Sequence, residues 1–581
     1  MSLKPDRISK DATFDTFSNG QVLYEKQKGK LPAMGWNSWN AFGSGNTEAL
    51  TKKMAECICD LGLKDLGYEY VVLDDGCYKP ERVDGKLSNE EIKFPGGFRA
   101  LADHLHRMGL KFGMYNDVGT NLCAGAAVGT CGHEKEDAQS YIDWDVDFLK
   151  VDNCYYPFDN ATFSDPENAR FVYAPNIRAI RIGGKTYSAV ANGRLVGHCA
   201  SVKDKTYVTG LGTYDGTGPR YTPVGLRSSE LVFVLQSKSD ESTELSVEYA
   251  TGKRESVGEW LQIAINDERI CDALLPPTKS ETDFVQSKSF QVKLKKGFNR
   301  IRLMNHRRQE NTLNSYAKLL KYLKAAAPEK DIYYSACEWG KTQPQNWAGK
   351  VCDSWRILND ITFRVGCDGD PGHGDWAGDY TCSVTSQYNK AVIMSDFSGL
   401  DKGWNDPDML MIGMDGLNLA QNKTHMAMWC MMCAPLMLGL DLRRVQKGDD
   451  LYNIIANREL ISINQDPLGI QASRLYSSLT PKRPAHTYLR DINRVDILVK
   501  PLSGGRFAIS FINVSETTQK GDFSLTADQI RKAFQKLIGE GKRYEVLDVW
   551  SKETKNNKNG VFGVKKLAPC ENVTWIVTPL P

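Results

Sequence analysis

A lysine and an aspartate lie near the end of an otherwise apolar segment, FLKVDNC, which starts at Phe148. The surrounding apolar residues are typical of a buried strand. Side chains alternate along a strand, so Lys150 and Asp152 share one side of it. An ammonium beside a carboxylate favours the ionised form of the acid. The pattern indicates either a structural ion pair or a carboxylate that is kept charged for chemistry.

Further polar side chains stand at the ends of other short apolar segments, with aromatic residues among them. The polar ones are Asp74, Asp75, Asp117, Glu338, Arg356, Asp360 and Asp408, and the aromatic ones are Trp36, Trp39, Tyr115, Trp339 and Trp404. Any single carboxylate after a strand could instead be a helix cap. Together they suit a sugar, because its hydroxyls need hydrogen bonds while its C–H faces stack on aromatic rings.

The segments that would position these residues alternate between short apolar strands and amphipathic helices from about residue 31, as in parallel β/α folds. Eight strand segments follow in order: AMGWNSW, YVVLDD, KFGMYND, VDFLKVD, IYYSACEW, SWRILNDI, PDMLMIG and PLMLGLD. Eight strands close a (β/α)8 barrel, in which the active site lies at the C-terminal ends of the strands. The polar strand ends are therefore expected to meet at one mouth.

Two other parts of the chain show the period of two that is typical of antiparallel strands. One lies between the fourth and fifth barrel strands, and the other contains the hairpin VDILVKPLSGGRFAISF in the last hundred residues. We predict an α/β fold, a (β/α)8 TIM barrel with an inserted β-sandwich and a C-terminal antiparallel β domain. The predicted domains are the barrel at 1–176 and 311–470, the insert at 177–310 and the C-terminal domain at 471–581.

Charge and hydropathy indicate neither nucleic acid nor a membrane as a partner. The formal net charge of the 581 residues is +2 without a dense basic run, and no apolar run approaches the roughly 20 residues of a transmembrane helix. The N-terminal MSLKPDRISK is too polar for a signal peptide. We expect a cytoplasmic protein, or a secreted or periplasmic one whose signal was removed, and a homo-oligomer is compatible with the sequence.

Eight motifs occur in the order found in glycoside hydrolase family 27, the α-galactosidase and α-N-acetylgalactosaminidase family, and the chain resembles that family over about 31–176 and 311–581. They are MGWNSWNAFG, LDDGC, KFGMYNDVGTNLCAG, FLKVDNC, CEWG, SWRILNDI, GWNDPDML and INQDPLG. The resemblance implies a retaining glycosidase, closest to the α-galactosidases, that works without a metal or a nucleotide. Its implied substrate is an α-galactoside oligosaccharide or glycoconjugate.

The resemblance also implies roles for individual residues. Asp152 corresponds to the nucleophile and Asp360 to the acid/base, and such a pair lies about 5 to 5.5 Å apart in retaining enzymes. Asp360 must begin the reaction protonated, and we expect nearby carboxylates to favour that form. The implied substrate-binding residues are Trp39, Asp74, Asp75, Tyr115, Lys150, Glu338, Arg356 and Asp408.

Sugar specificity follows from the same mapping. Asp74 and Asp75 are expected at the 4- and 6-hydroxyls, and Glu338 and Arg356 at the 2-hydroxyl. The bulky Glu338 stands where members that prefer N-acetylgalactosamine have small residues, and relatives acting on β-L-arabinopyranosides alter the position of Asp74. Both observations favour galactose. β-L-Arabinopyranosidase and α-N-acetylgalactosaminidase activity stay open as alternatives, as does a non-catalytic carbohydrate-binding protein.

The chain departs from the family at one disulfide and in its insert. Ser44 and Gly76 replace the cysteines of a frequent family bridge, which favours a cytoplasmic protein. The other family pairs correspond to Cys123 with Cys154 and Cys337 with Cys352. The insert resembles galactose-binding-like modules, so we expect either a sugar-binding module or a wall over the active-site mouth. The alternative is a spacer or an oligomer contact.

Overall fold

The computed structural model describes residues 29–155, 174–197, 200–212, 228–251, 259–266, 268–362, 364–378, 382–482 and 484–581. Its central sheet has eight strands. They are β1 Met34–Asn37, β2 Tyr70–Val72, β3 Lys111–Asp117, β4 Phe148–Asp152, β5 Tyr333–Cys337, β6 Ser354–Arg356, β7 Trp404–Asp406 and β8 Leu436–Leu438. The predictions for residues 1–28 and for the remaining gaps lie outside the described residues.

The eight strands curl into a barrel in which each hydrogen-bonded pair of neighbours is parallel. Their order is β7-β6-β5-β4-β3-β2-β1-β8. Leu410, which follows β7, pairs with the other edge of the sheet: its N–H donates to the Met437 carbonyl at 2.8 Å, and its carbonyl accepts from the Gly439 N–H at 3.1 Å. The predicted TIM-barrel fold is therefore confirmed.

The seventh strand differs from its predicted position. We expected it in PDMLMIG, whereas β7 ends at Asp406, and Leu410 is the residue of that segment that pairs with β8 among the described residues. The reason is Asp408, whose φ of 78° lies in the left-handed region and cannot continue a strand. The apolar residues Leu410, Met411 and Ile412 are buried in the core around the barrel instead.

Helices surround the barrel, and the main apolar core lies between them and the strands. Their bounds are Ser38–Phe42, Glu48–Asp60, Gly97–Arg107, Glu134–Asp143, Arg307–Ala326, Val384–Ala391, Leu419–Met431, Asp450–Ile455 and Arg458–Asn464. Short 3₁₀ turns add Gly43–Gly45, Lys64–Leu66, Pro344–Asn346, Ala348–Lys350, Ser395–Phe397 and Leu442–Arg444. No helix of the described residues combines the length and the apolar character that crossing a bilayer requires.

The inside of the barrel has an apolar floor beneath its polar mouth. The Phe148 ring stacks on Tyr333 at 5.2 Å and packs against Tyr70 at 5.3 Å. Because side chains alternate along β4, Lys150 and Asp152 project on the same side as Phe148, one above the other. The two charged groups therefore stand above this floor, at the mouth, where polar partners are available to them.

The insert between β4 and β5 consists of two antiparallel sheets that share one apolar core. One sheet contains Gly193–Val196, Glu230–Ser237, Glu259–Ile265, Glu268–Leu275 and Gly297–Met304. The other contains Asn176–Ile182, Lys185–Ser188, Ser201–Lys203, Tyr207–Thr209, Glu241–Ala250, Val285–Gln286 and Phe290–Leu294. This is the predicted β-sandwich arrangement.

The C-terminal part is also antiparallel, with a six-stranded and a two-stranded sheet. The strands are Ser473–Ser477, Val495–Pro501, Phe507–Asn513, Arg543–Asp548, Thr554–Asn557 and Asn572–Leu580 in the first, and Gln519–Thr526 and Val561–Leu567 in the second. The helix Ala527–Phe534 and the 3₁₀ turns Ser503–Gly505 and Gln535–Leu537 accompany them. The predicted hairpin is confirmed, since Ile497 pairs with Phe511 and Val499 with Ile509.

Candidate active site

A narrow cavity lies at the C-terminal ends of the barrel strands, where the polar strand ends meet. Nine of the ten predicted site residues line it: Trp39, Asp74, Asp75, Tyr115, Lys150, Asp152, Arg356, Asp360 and Asp408. Asn40, Cys123, Trp339 and Met409 complete the lining. Five carboxylates and two cations therefore face one small space.

Glu338, the tenth predicted residue, lies behind the cavity wall. Its side chain is buried, and its Oε1 accepts the Thr342 N–H at 2.7 Å. The chain turns directly after it, because Trp339 and Gly340 both have left-handed φ angles, 59° and 76°. A Cβ at Gly340 would lie 2.3 Å from the Ile357 carbonyl oxygen, so only glycine fits there. The turn brings Trp339 to the cavity instead of Glu338.

Lys150 and Asp74 form an ion pair across the top of the barrel. The Lys150 Nζ donates to Asp74 Oδ2 at 2.7 Å, and the same oxygen accepts from Asn37 Nδ2 at 2.8 Å. Burial alone would lower the pKa of Lys150, but the negative charges of Asp74 and Asp152 raise it above its ordinary value. Lys150 is consequently a fixed positive charge between the β2 and β4 strand ends.

Asp75 lines the cavity and has one carboxylate oxygen without a partner among the described residues. Its Oδ2 accepts the Ala124 N–H at 2.8 Å, whereas Oδ1 has no hydrogen-bond partner among the described residues. Burial raises the pKa of Asp75, and the adjacent charge of Asp74 adds to that shift. Over the described ranges, Trp339 Nε1 and Arg356 Nε also lack a partner. One acceptor and two donors of cavity-lining residues thus stay unsatisfied, which is costly unless a polar ligand meets them.

Asp152 sits deep in the site with two direct hydrogen bonds. Its Oδ1 accepts the N–H of Asn153 at 2.9 Å, and its Oδ2 accepts the Tyr115 hydroxyl at 3.2 Å. Burial raises its pKa to about 6, the charge of Lys150 opposes that shift, and the charge of Asp360 adds to it. Lys150 thus acts in the expected direction, but burial outweighs it.

Arg356 connects the ends of β6 and β7. Its Nη2 lies 3.1 Å from Asp360 Oδ1 and 2.7 Å from Asp408 Oδ2. Asp408 Oδ2 also accepts the N–H of Ile361, so both chain segments are held by the same carboxylate. The Asp360 side chain is 43% exposed, whereas Asp408 and Arg356 are buried. Asp360 is therefore the carboxyl group of this network that can reach water.

Asp117, another strand-end carboxylate, supports the site from behind. It is buried, and its oxygens accept the N–H groups of Gly119 at 2.6 Å and Cys154 at 2.8 Å. Burial and the nearby charge of Asp152 raise its pKa to about 8. The two carboxylates lie close to Cys123 and Cys154. Those sulfurs are bonded to each other, so this donor set does not suit a metal ion.

The cysteines near the site differ in state. Cys123 and Cys154 form a disulfide, which ties the loop after β3 to the segment that follows Asp152. Cys337 is a thiol whose sulfur accepts from Arg356 Nη1 at 3.6 Å, so the bond to Cys352 implied by the family resemblance is not formed. The first bond fixes a loop that also carries Ala124, the partner of Asp75.

Two of the tryptophans that the sequence placed among the candidates belong to the core. Trp36 is fully buried and donates its Nε1 to the Leu440 carbonyl, while Trp404 donates to the Lys30 carbonyl. Asn40 and Met409, which line the cavity, were not predicted. The only available signal was position, because each directly follows a predicted site residue, Trp39 or Asp408.

The insert contacts the loop that shapes the cavity wall. Ser228 of the insert donates to Gln343 Oε1 at 3.2 Å. Gln309, at the start of the next barrel helix, donates to Ser228 Oγ and to the Thr342 carbonyl at 2.8 Å. Thr342 in turn holds Glu338. The loop that carries Trp339 is therefore clamped from the side of the insert.

Comparison with known proteins gives a consistent result. A family profile described as Alpha galactosidase A matches residues 31–176 and 298–466, and one described as Alpha galactosidase C-terminal beta sandwich domain matches 493–575. The alpha-galactosidase of Saccharomyces paradoxus is 26% identical over 536 residues, which cover 91% of this chain and 80% of the relative.

Solved structures share the fold at lower identity. The alfa-galactosidase of Saccharomyces cerevisiae, determined with raffinose, is 20% identical and superposes with a TM-score of 0.59 over 94% of this chain and 98% of its own. A family-27 β-L-arabinopyranosidase from Geobacillus stearothermophilus is 16% identical, with a TM-score of 0.56 over 95% of this chain and 97% of its own. One fold thus serves two sugar specificities.

Replacement of the buried Asp152 by asparagine is expected to stabilise the protein. Its folded-state pKa of about 6 lies above the ordinary aspartate value of 3.8, so ionisation at higher pH costs folding free energy. The gain in the free energy of unfolding should be larger at pH 8 than at pH 4, where the penalty nearly vanishes. Urea unfolding at both pH values measures this gain. A loss of stability in Asp152→Asn at pH 8 would contradict this electrostatic account.

Proposed function

The chain belongs to the alpha-galactosidase family of retaining glycoside hydrolases, family 27, and we propose that it releases terminal α-linked galactose from oligosaccharides or glycoconjugates. The observation that carries this proposal is the pair of unlike carboxyl groups on one cavity. Asp152 is buried at the bottom, while Asp360 is half-exposed at the rim. A retaining glycosidase needs one group that attacks the sugar and another that exchanges protons with the leaving group and water.

In the first step, the ionised Asp152 attacks the anomeric carbon. The bond from that carbon to the leaving oxygen breaks, and Asp360 gives its proton to the departing alcohol. Tyr115 donates a hydrogen bond to Asp152 Oδ2, which orients the carboxylate for attack through its other oxygen. Lys150 on β4 and Arg356 on β6 supply positive charge to the cavity. A covalent sugar ester of Asp152 results.

In the second step, water enters where the alcohol left. Asp360, now ionised, takes a proton from that water, whose oxygen bonds to the anomeric carbon while the ester to Asp152 breaks. Both carboxyl groups return to their starting states, and the configuration at the anomeric carbon is retained. The exposure of Asp360 supports this role, because the same group must meet first the leaving alcohol and then water.

Sugar recognition would use the unsatisfied polar atoms of the cavity. Asp75 Oδ1 can accept a hydroxyl proton, and Trp339 Nε1 and Arg356 Nε can donate to hydroxyl oxygens. Asp74 and Asp75, which follow β2, are assigned to the 4- and 6-hydroxyls, as the family resemblance implies. A site with buried hydrogen-bonding groups discriminates strongly against a sugar that lacks the partner hydroxyl. Glu338 would act on the 2-hydroxyl side from behind, through the turn that presents Trp339.

The alternatives in the same family differ in the sugar and not in the mechanism. A β-L-arabinopyranoside lacks the 6-hydroxymethyl group, and it would leave a polar atom of the Asp74–Asp75 pair without a partner. An N-acetyl group at the 2-position would have to fit beside Trp339, which fills the wall. Galactose is therefore favoured.

A cytoplasmic location and a homo-oligomer stay predictions from the sequence, and neither changes the chemistry at Asp152.

Activity and stereochemistry test this function together. The wild type should hydrolyse nitrophenyl α-galactoside faster than the β-L-arabinopyranoside or the α-N-acetylgalactosaminide.

Asp152→Ala should lose at least about 1000-fold in kcat. Azide, which can occupy the vacated space, should restore turnover and give β-galactosyl azide. Asp360→Ala should lose about 10²–10⁴-fold on a methyl galactoside, far less on a nitrophenyl one, and give α-galactosyl azide.

The azide products separate the possible failures. The opposite assignment of anomers would exchange the roles of the two aspartates. Preferred turnover of another glycoside would overturn galactose and keep the mechanism. A wild type that is inactive on all three glycosides but binds galactose would support a carbohydrate-binding protein.

For the insert, we propose a role in the cavity wall rather than a second sugar site. The hydrogen bonds from Ser228 and Gln309 to the loop at Thr342 and Gln343 support this role. The Asp152→Asn variant should therefore bind an α-galactoside trisaccharide with a stoichiometry of one in calorimetry. A second binding event that survives Asp74→Asn in the same background would instead identify the insert or the C-terminal domain as a sugar-binding module.

A further inference from the structure

A buried lysine stands directly behind the cavity wall and has no part in the roles described above. Lys341 is 2% exposed and follows the Trp339–Gly340 turn after β5. Its Nζ donates to the carbonyl of Asn153 at 2.5 Å. Asn153 is the residue after Asp152, so this contact ties the loop after β5 to the end of β4.

The same ammonium supports the aromatic part of the wall. Lys341 Nζ lies 4.6 Å from the centre of the Trp339 ring, within the range of a cation–π interaction. Trp339 lines the cavity, whereas Lys341 does not. One cation thus contacts both the peptide beside the proposed nucleophile and the back of a wall residue.

The position of this charge also matters for the carboxylates. Burying an ammonium costs several kcal/mol unless carboxylates and hydrogen bonds compensate it. Asp117 and Asp152 are two buried carboxylates at this depth, and the Lys341 charge opposes the rise of the pKa of each. Lys150 also acts on Asp152, but its Nζ is hydrogen-bonded to Asp74. Lys341 is therefore a second cation that acts on Asp152, and its Nζ is held at the Asn153 carbonyl instead of at Asp74.

We propose that Lys341 is a positioning residue for Asp152, holding the peptide that follows the nucleophile and placing a second positive charge beside its carboxylate. The inference depends on the proposed function, because it takes Asp152 as the nucleophile. Lys341 itself touches neither the sugar nor the reacting atoms.

The groups that face Asp152 come from several strands and together set its ionisation. They are Tyr115 and Asp117 of β3, Lys150 of β4, Cys337 of β5, Lys341 after β5 and Asp360 after β6. Burial raises the pKa of Asp152 to about 6, and Asp360 adds to the rise, while Lys150 and Lys341 oppose it. Removal of Lys341 should consequently raise this pKa further, because one of the two opposing charges is lost.

Two substitutions separate the charge of Lys341 from its hydrogen bond. Lys341→Gln keeps a donor for the Asn153 carbonyl, whereas Lys341→Met removes both. The matched control is Lys500→Met, because Lys500 is an equally buried lysine that donates to a backbone carbonyl, that of Ile470 at 2.6 Å, in the C-terminal sheet. The measurement is the pH profile of kcat/KM on the glycoside that the wild type prefers.

The acid limb of the wild-type profile should lie near pH 6, and both Lys341 variants should move it up by about one pH unit. That shift lowers kcat/KM at pH 5 about tenfold beyond any loss on the plateau. Lys500→Met should lower stability without moving the limb. An acid limb that stays in place in Lys341→Gln and Lys341→Met would overturn the proposal, even if both variants lost activity on the plateau.

A stability cycle tests the same coupling without using activity. Lys341→Gln is measured by urea unfolding at pH 8 in the wild type and in the Asp152→Asn background. The loss of stability should be clearly smaller in the second background, where no carboxylate remains at position 152. Equal losses would refute the coupling between Lys341 and Asp152. An inactive wild type would affect only the proposed function and leave this result intact.

Discussion

The whole site depends on the balance of charge in a small buried space. Five carboxylates line the cavity, and Lys150 and Arg356 are the cations among the described residues that line it. Burial and mutual repulsion raise the pKa of a carboxyl group, whereas a nearby cation lowers it. The two cations are not placed evenly: Lys150 is hydrogen-bonded to Asp74, and Arg356 to Asp360 beside Asp408. Asp152 therefore lies between two ion pairs, with Tyr115 as a neutral donor.

This balance of charge requires the loops that follow different strands to keep fixed positions relative to one another. The Cys123–Cys154 bond joins the loop after β3 to the end of β4, and Asp408 holds the N–H of Ile361 beside Asp360. Lys341 joins the loop after β5 to the end of β4. Loops at a barrel mouth are free to vary, since the strands already carry the core. Cross-links between neighbouring loops convert that freedom into a fixed arrangement of charges.

The alternation of side chains made much of the site predictable. Lys150 and Asp152 had to share the inner side of β4 with Phe148, because the period of a strand is two residues. The same logic found the polar ends of the other strands, and the parallel topology brought them to one edge. It failed at β7, where an apolar run after Asp408 was indistinguishable from a strand. The left-handed backbone at Asp408 ends the strand, but it does not change the hydropathy pattern from which the strand was predicted.

The sequence by itself determined the barrel, the two antiparallel parts and the strand-end residues of the site, because periodicity and short motifs are local properties of the chain. Tertiary structure decided which side chains reach the cavity. Glu338 and Trp339 are neighbours, yet the turn at Gly340 puts one behind the wall and the other on it. Lys341 gained its place beside Asp152 only through a contact with Asn153, across 188 positions of sequence. Such contacts depend on loop geometry and burial, which no local pattern specifies.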